Sequence, residues 1–242
     1  MRCLWGRRSR RVPTRQRHCV RSPECRGRRD VRPEIKFCGL TRPHDAEVAA
    51  SLGAAFAGAI FAGGPRNLTA QQAADVLAAA GAALKKVGVF AEADPEAISV
   101  VADAVRLDII QLHGDPTPEQ IDAIRRRTGR PVWAVMRIAG TTIPRELRGI
   151  AEAADAVLVD ARVEGRLGGT GVALPWRALA PDLRRAINGH RLVLAGGLTS
   201  DNVRDAVDAM TPDIVDVSSG VESAPGKKDH AKMRAFAQAV RG

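Results

Sequence analysis

The sequence has no tyrosine, only three tryptophans and five phenylalanines, and cysteine at just four of its 242 positions. Cys3, Cys19 and Cys25 fall among the first 33 residues, so the remainder of the chain holds Cys38 alone and has no disulfide framework to build on. A single body cysteine suits a reducing compartment, and a cytoplasmic protein is expected. Cys3, His18, Cys19 and Cys25 contain no paired C-x2-C element, which argues against a zinc site. No run of about 18 apolar residues exists to span a membrane as a helix, and no membrane partner is expected. The N-terminus lacks the apolar centre of a secretory signal. Although Arg-rich like a transit peptide, it is poor in serine and forms no apolar helical stripe.

Net charge is the other scarcity, once its location is resolved. The formal charge is +10, but residues 1–33 hold twelve Arg against Glu24 and Asp30, so residues 34–242 are formally neutral. The basicity therefore says nothing about the partners of the folded body. Trp5 is the only aromatic of that basic segment, so stacking on bases has no platform and a nucleic-acid partner is not expected. Residues 1–33 follow neither a period of 2 nor one of 3.6. They read either as a disordered Arg-rich tail or, in an Arg- and Ala-rich chain without tyrosine, as an over-extended gene start with the natural protein beginning near Val20 or Val31.

From Glu34 onward short apolar runs alternate with amphipathic stretches. The runs are Ile35–Cys38, Ala57–Phe61, Lys86–Phe90, Asp108–His113, Val132–Ile138, Ala156–Asp160, Arg191–Ala195 and Ile214–Ser218. They are near-continuously apolar, as expected of parallel strands covered on both faces. Helix starts lie between them: Thr69-Ala-Gln-Gln72 and Thr117-Pro-Glu-Gln120 are capping boxes, and Ser200-Asp201-Asn202 opens another helix. Ile98, Val101 and Val105, and likewise Val203, Val207 and Met210, form single apolar stripes, and a last helix covers His230–Val240. Repeated βα units without a linker predict an α/β fold over residues 34–242, a single-domain (β/α)8 TIM barrel, with an open doubly wound sheet as the alternative.

A barrel places function at the carboxyl ends of its strands, and here those ends are polar: Cys38, Arg66 beyond the second, Gln111 and His113, Asp160, Asp216 and Ser218. Cys38 reads either as a small buried hydrophobe or as a reactive group. Glycine-rich turns accompany them at Gly168-Gly169-Thr170-Gly171, Ala195-Gly196-Gly197-Leu198 and Ser218-Ser219-Gly220-Val221. Glycine lets backbone N–H groups approach an anion, and the turns after strands 7 and 8 are the usual phosphate position of such barrels.

These stretches, with Lys36-Phe37-Cys38-Gly39-Leu40-Thr41, Gln111-Leu112-His113-Gly114, Asp216-Val217-Ser218-Ser219-Gly220-Val221-Glu222 and Pro225-Gly226-Lys227-Lys228-Asp229, resemble the phosphoribosylanthranilate isomerase family of tryptophan biosynthesis. The likeness runs from about residue 34 to the end. It implies a cofactor-independent, metal-free aldose-ketose isomerase, an intramolecular oxidoreductase that takes a small phosphorylated substrate. Its reaction is the Amadori rearrangement of N-(5-phosphoribosyl)anthranilate to 1-(2-carboxyphenylamino)-1-deoxyribulose 5-phosphate. By resemblance Asp160 is the acid and Cys38 the base, Arg66 meets the anthranilate carboxylate, and His113 and Asp216 touch substrate. Gly169, Gly196, Gly197, Ser219 and Gly220 hold the phosphate. Asp160 retains a reading as a loop cap and His113 one as a structural group. Gly64 stands where the family commonly has serine. The segment Ala161–Gly171 is expected either to move over the substrate or to be plainly disordered, and a monomer or a homodimer is expected.

The chemistry sets demands that a sequence does not display. A free cysteine titrates near 8.5 and an aspartate near 3.9, so a thiolate base needs cationic neighbours and a protonated acid needs desolvation. The competing enzyme reading is another sugar-phosphate isomerase or epimerase barrel. A related aminoaldose isomerase would present aspartate at the end of strand 1, and a metal-dependent epimerase would need paired His and Asp/Glu ligands at several strand ends.

Overall fold

Each of the eight apolar runs becomes a strand, and their β-rich, doubly covered character is what closes them on one another. The computed structural model describes residues 32–92, 94–161 and 174–242. Residues 1–31 of the tail, Gly169 and the segment from 162 to 171 expected to move or be disordered therefore lie outside the described residues. The strands are β1 (Glu34–Cys38), β2 (Phe56–Ile60), β3 (Lys85–Phe90), β4 (Ile109–Leu112), β5 (Val132–Ile138), β6 (Ala156–Ala161), β7 (Leu192–Leu194) and β8 (Ile214–Val217). They pair in parallel in sequence order, and β8 pairs back onto β1 to close the barrel, with Lys36 opposite Asp216. The barrel expectation holds and the open sheet is excluded.

Among the described residues eight α-helices lie between and after the strands: α1 (Pro43–Ser51), α2 (Ala70–Ala78), α3 (Pro95–Val105), α4 (Pro118–Thr128), α5 (Leu147–Ala153), α6 (Trp176–Ile187), α7 (Val203–Met210) and α8 (His230–Arg241). Both predicted capping boxes are formed, with Thr69 and Thr117 accepting from the backbone of Gln72 and Gln120. Each such cap contributes about 1 kcal/mol to its helix. At the start of α7, Asn202 takes the capping position without a side-chain cap on the helix, and instead its Oδ1 accepts from Thr199 N at 2.8 Å.

Side chains alternate across each strand, and the two faces enter two separate cores. Outward residues such as Phe37, Ala57, Ile110, Ala134, Val157 and Val215 pack with Ala46, Val76, Ile98, Ile121, Leu183 and Phe236 of the helices. Inward residues form a second cluster of Phe56, Val87, Ile109, Trp133, Val135, Leu158, Val193 and Ile214, in which Phe56 and Trp133 meet edge to face at 5.0 Å. The same inward parity, followed toward the carboxyl ends, reaches Lys36 and Cys38 on β1, Gln111 on β4, Asp160 on β6 and Asp216 on β8. The apolar cluster is thus the floor and the polar strand ends are the mouth.

Two features beyond the barrel were not foreseen. After β8 a short 3-10 turn (Ser219–Val221) leads into a hairpin of β9 (Glu222–Ala224) and β10 (Lys227–Lys228). Fully buried Asp45 on α1 accepts from Arg42 and lies 2.8 Å from His230 Nε2, which fastens the start of α8 to α1. No helix among the described residues is long and apolar enough to cross a membrane.

Candidate active site

The carboxyl-terminal mouth holds a cavity of about 410 Å³. Cys38, Arg66, His113, Asp160, Asp216, Gly196, Gly197, Ser219 and Gly220 all line it, so every described residue singled out from the sequence meets in one place. Cys38 is buried at the end of β1, and Asp160 is 7% exposed near the end of β6. Ile60, Val89 and Leu158 add an apolar wall.

Local sequence explains the placement of Arg66. Gly39 follows Cys38 with φ +68°, and a Cβ there would lie 2.6 Å from Cδ of Arg66. Glycine is therefore required both by the turn and by the arginine stem that crosses it. Arg66 then donates through Nε and Nη2 to Glu222 at 2.8 and 2.7 Å, a side-on fork in which only 16% of the arginine side chain remains exposed. Lys228 donates to the same Glu222 at 2.8 Å and to the Ser218 carbonyl at 3.1 Å. Burial alone would push the Glu222 carboxyl up, but Arg66 and Lys228 outweigh it and hold it below the usual range. Burial also pulls the Lys228 ammonium down against the opposing pull of Glu222.

The turns after β7 and β8 interlock. A Cβ on Gly220 would stand 1.9 Å from the Leu198 carbonyl oxygen, so the two proposed phosphate turns touch backbone to backbone. Gly220→Ala must part them. The expected cost is about 1–3 kcal/mol, as for other overpacked sites, which lowers Tm by several degrees in a chain of this size. Differential scanning calorimetry checks this, and an unchanged Tm would show that the turns separate freely.

Several functional-looking groups escaped the sequence reading. Lys36 is wholly buried and donates to Asp216 Oδ1 at 2.9 Å. Its position two residues before Cys38, polar in an apolar strand, was the available signal. Burial would lower the Lys36 ammonium, but Asp216 and Cys38 together hold it above its ordinary value. Gln111, already noted as a polar strand end, lines the cavity, and its Oε1 is buried with no hydrogen-bond partner among the described residues. Glu222 and Lys228 stood in the matched motifs, but nothing in their spacing paired them with Arg66.

The thiol departs from the expectation that its neighbours would favour the thiolate. Burial pushes Cys38 up, Asp216 adds to that, and Lys36 and Lys228 offset it only in part. Arg137, at the end of β5, is held above its usual value first by its pairing with Asp115 and only weakly by Asp160. No group of three or more His, Cys, Asp or Glu among the described residues is arranged to hold a metal ion.

Comparison with known proteins agrees with the geometry over the same span. The family model for "N-(5'phosphoribosyl)anthranilate (PRA) isomerase" matches residues 35–239. An N-(5'-phosphoribosyl)anthranilate isomerase of Geobacter sulfurreducens is 40% identical over 210 residues, covering 86% of this chain and 98% of the relative. The crystal structure of phosphoribosyl anthranilate isomerase from Thermus thermophilus superposes with TM-score 0.75 at 35% identity, covering 86% of this chain and 98% of that one. A further isomerase structure, in complex with reduced 1-(o-carboxyphenylamino)-1-deoxyribulose 5-phosphate, superposes with TM-score 0.73 at 31% identity, over 87% and 99% of the two chains.

Proposed function

Because the chain belongs to the N-(5'-phosphoribosyl)anthranilate isomerase family, we propose that its barrel mouth carries that reaction with Cys38 as the base and Asp160 as the acid. The protein is an isomerase of tryptophan biosynthesis. The observation that carries the site assignment is convergence: Cys38, Asp160, Arg66 and the two glycine turns line one cavity of about 410 Å³.

The rearrangement needs a proton delivered to the furanose ring oxygen and another removed from C2. Asp160 supplies the first, the C1–O bond breaks, and the anthranilate nitrogen shares its electron pair to give a Schiff base. Cys38 takes the C2 proton, the C2–H electrons form a C1=C2 double bond, and the C1=N π electrons return to nitrogen to give an enolamine. Tautomerisation then yields the ketone. Ile60, Val89 and Leu158 give the same cavity an apolar wall.

Substrate orientation follows from charge. Glu222 occupies the Nε and Nη2 side of Arg66, so the substrate carboxylate is met by the remaining end of the guanidinium. The phosphate is assigned to the turns after β7 and β8, at Gly196, Gly197, Ser219 and Gly220. Asp216 and His113 face the sugar between them.

The full-length protein given freshly generated N-(5'-phosphoribosyl)anthranilate is expected to consume it, followed as loss of its fluorescence. Arg66→Ala is expected to raise KM on the order of 10- to 100-fold, the loss of charge-assisted hydrogen bonds, with a smaller change in kcat. An unchanged KM would remove Arg66 from the carboxylate site, and absence of turnover by the folded wild type would overturn the assignment as a whole.

A further inference from the structure

The barrel interior contains a buried salt bridge between Lys36 and Asp216 directly beneath the proposed base, and the mechanism above gives its lysine no task. Lys36 and Cys38 lie two residues apart on β1, so both point inward, and Asp216 is the register partner of Lys36 on the adjacent strand β8. A Cβ on Gly58 would lie 3.0 Å from Cys38 Sγ and 3.3 Å from Lys36 Nζ, so thiol and ammonium converge on the space beside that glycine. An ammonium carries three donors, and the Asp216 contact at 2.9 Å engages one of them. A lysine with no exposed surface is costly to keep charged without a partner, and Asp216 is the fixed anion that keeps it so.

We propose that Lys36 is a positioning residue for Cys38: its ammonium, anchored by Asp216, is the counter-charge on which the thiolate depends. This rests on the reading of Cys38 as the base. The other charged and titratable groups around the thiol suit that role less well. Lys228, from β10, already gives its protons to Glu222 and the Ser218 carbonyl, and Arg66 is held in its fork by the same Glu222. Asp216 opposes the thiolate, and His113 and Asp160 face the same cavity from β4 and β6. Lys36 is therefore the cation whose removal should be felt most by the sulfur. When the C2 proton arrives on sulfur the thiolate charge disappears, and Asp216 remains to balance Lys36.

The test reads the thiol and not turnover. Iodoacetamide alkylation of Cys38 in the full-length protein is followed against pH by peptide mass spectrometry, with Cys3, Cys19 and Cys25 as references in the same digest. Lys36→Met is expected to move the Cys38 midpoint up by at least one pH unit, a tenfold loss of thiolate at fixed pH. A merely loosened pocket would move it the other way, toward the ordinary value near 8.5. Asp216→Asn leaves the thiolate as the anion nearest Lys36, and is expected to move the midpoint down by a comparable step. A folded Lys36→Met protein with an unmoved or lowered midpoint overturns the proposal. If that variant does not fold, an unmoved or raised midpoint in Asp216→Asn overturns it. These outcomes are independent of whether Cys38→Ala keeps its turnover, which tests the base assignment separately.

Discussion

Cys38→Ala is expected to lower kcat by at least roughly a hundredfold, the lower end of what a positioned base contributes, while leaving the fold intact. The fold survives because the change removes one sulfur from the rim of an open cavity, and the apolar floor of Phe56, Trp133, Leu158 and Val193 does not include Cys38. Loss of the base should also abolish exchange of the substrate C2 proton with solvent, since no other group is assigned to remove it. The pH profile carries a further signature. In the free enzyme burial pushes the Cys38 thiol up, so the reactive thiolate is the minor form at neutral pH. A group whose basic form is needed and whose pKa is raised gives kcat/KM that climbs with pH through and beyond the ordinary cysteine range near 8.5. That climbing limb should vanish in Cys38→Ala. If Cys38 were only a packing residue, the variant would lose some stability and turn over within a factor of a few of wild type, and that result would sink the assigned base.

The difference between what the sequence disclosed and what it hid has a physical origin. Buried parallel strands are continuous apolar runs, so all eight were legible, and their ends differ from the observed ones by at most one residue. The shortened end of β4 shows why. Asp108 was placed in the strand, but its Oδ2 accepts from Lys86 N at 2.7 Å, so it ties off the chain before the strand begins. Site residues were legible where the mouth of a barrel collects polar strand ends, because inward parity and position along a strand can both be counted. Pairing between distant segments cannot be counted. Lys36 and Asp216 are 180 positions apart and Arg66 and Glu222 are 156 apart, and only closure of β8 on β1 brings the first pair into register. The hairpin after β8 was hidden for another reason: Pro225-Gly226 signals a turn, but strands of three and two residues carry no period to detect.

These pairings alter how the site must be read. Sequence reasoning treated Arg66 as a lone cation awaiting a carboxylate, whereas in the folded chain it is already bound to Glu222, with Lys228 bringing the trio to a net positive charge. A fork held on one side is an oriented donor, so less side-chain freedom is lost when substrate binds at the other. Cys38 was expected to need cationic neighbours, and it has them. Burial and Asp216 nevertheless outweigh them in the free enzyme.

Asp160→Ala is expected to lower kcat by at least roughly a hundredfold as well, but at an earlier step. Without a proton for the ring oxygen the furanose stays closed, no Schiff base forms, and C2-proton exchange never begins even though Cys38 is intact. Cys38→Ala differs in that the ring still opens. Trapping with borohydride, which reduces a Schiff base to a stable amine, should therefore capture an opened species with Cys38→Ala and none with Asp160→Ala. Asp160→Asn separates proton donation from hydrogen bonding. The amide keeps the size and a donor N–H but cannot give up a proton, so it should be as impaired as alanine in turnover while binding substrate more nearly like wild type. The side chain is 7% exposed at its strand end, and the floor cluster does not include it, so neither change should unfold the barrel. Were Asp160 a loop cap instead, alanine would lower Tm, asparagine would restore it, and both variants would turn over at close to the wild-type rate. That pattern would remove Asp160 as the acid and leave Cys38 without its complement.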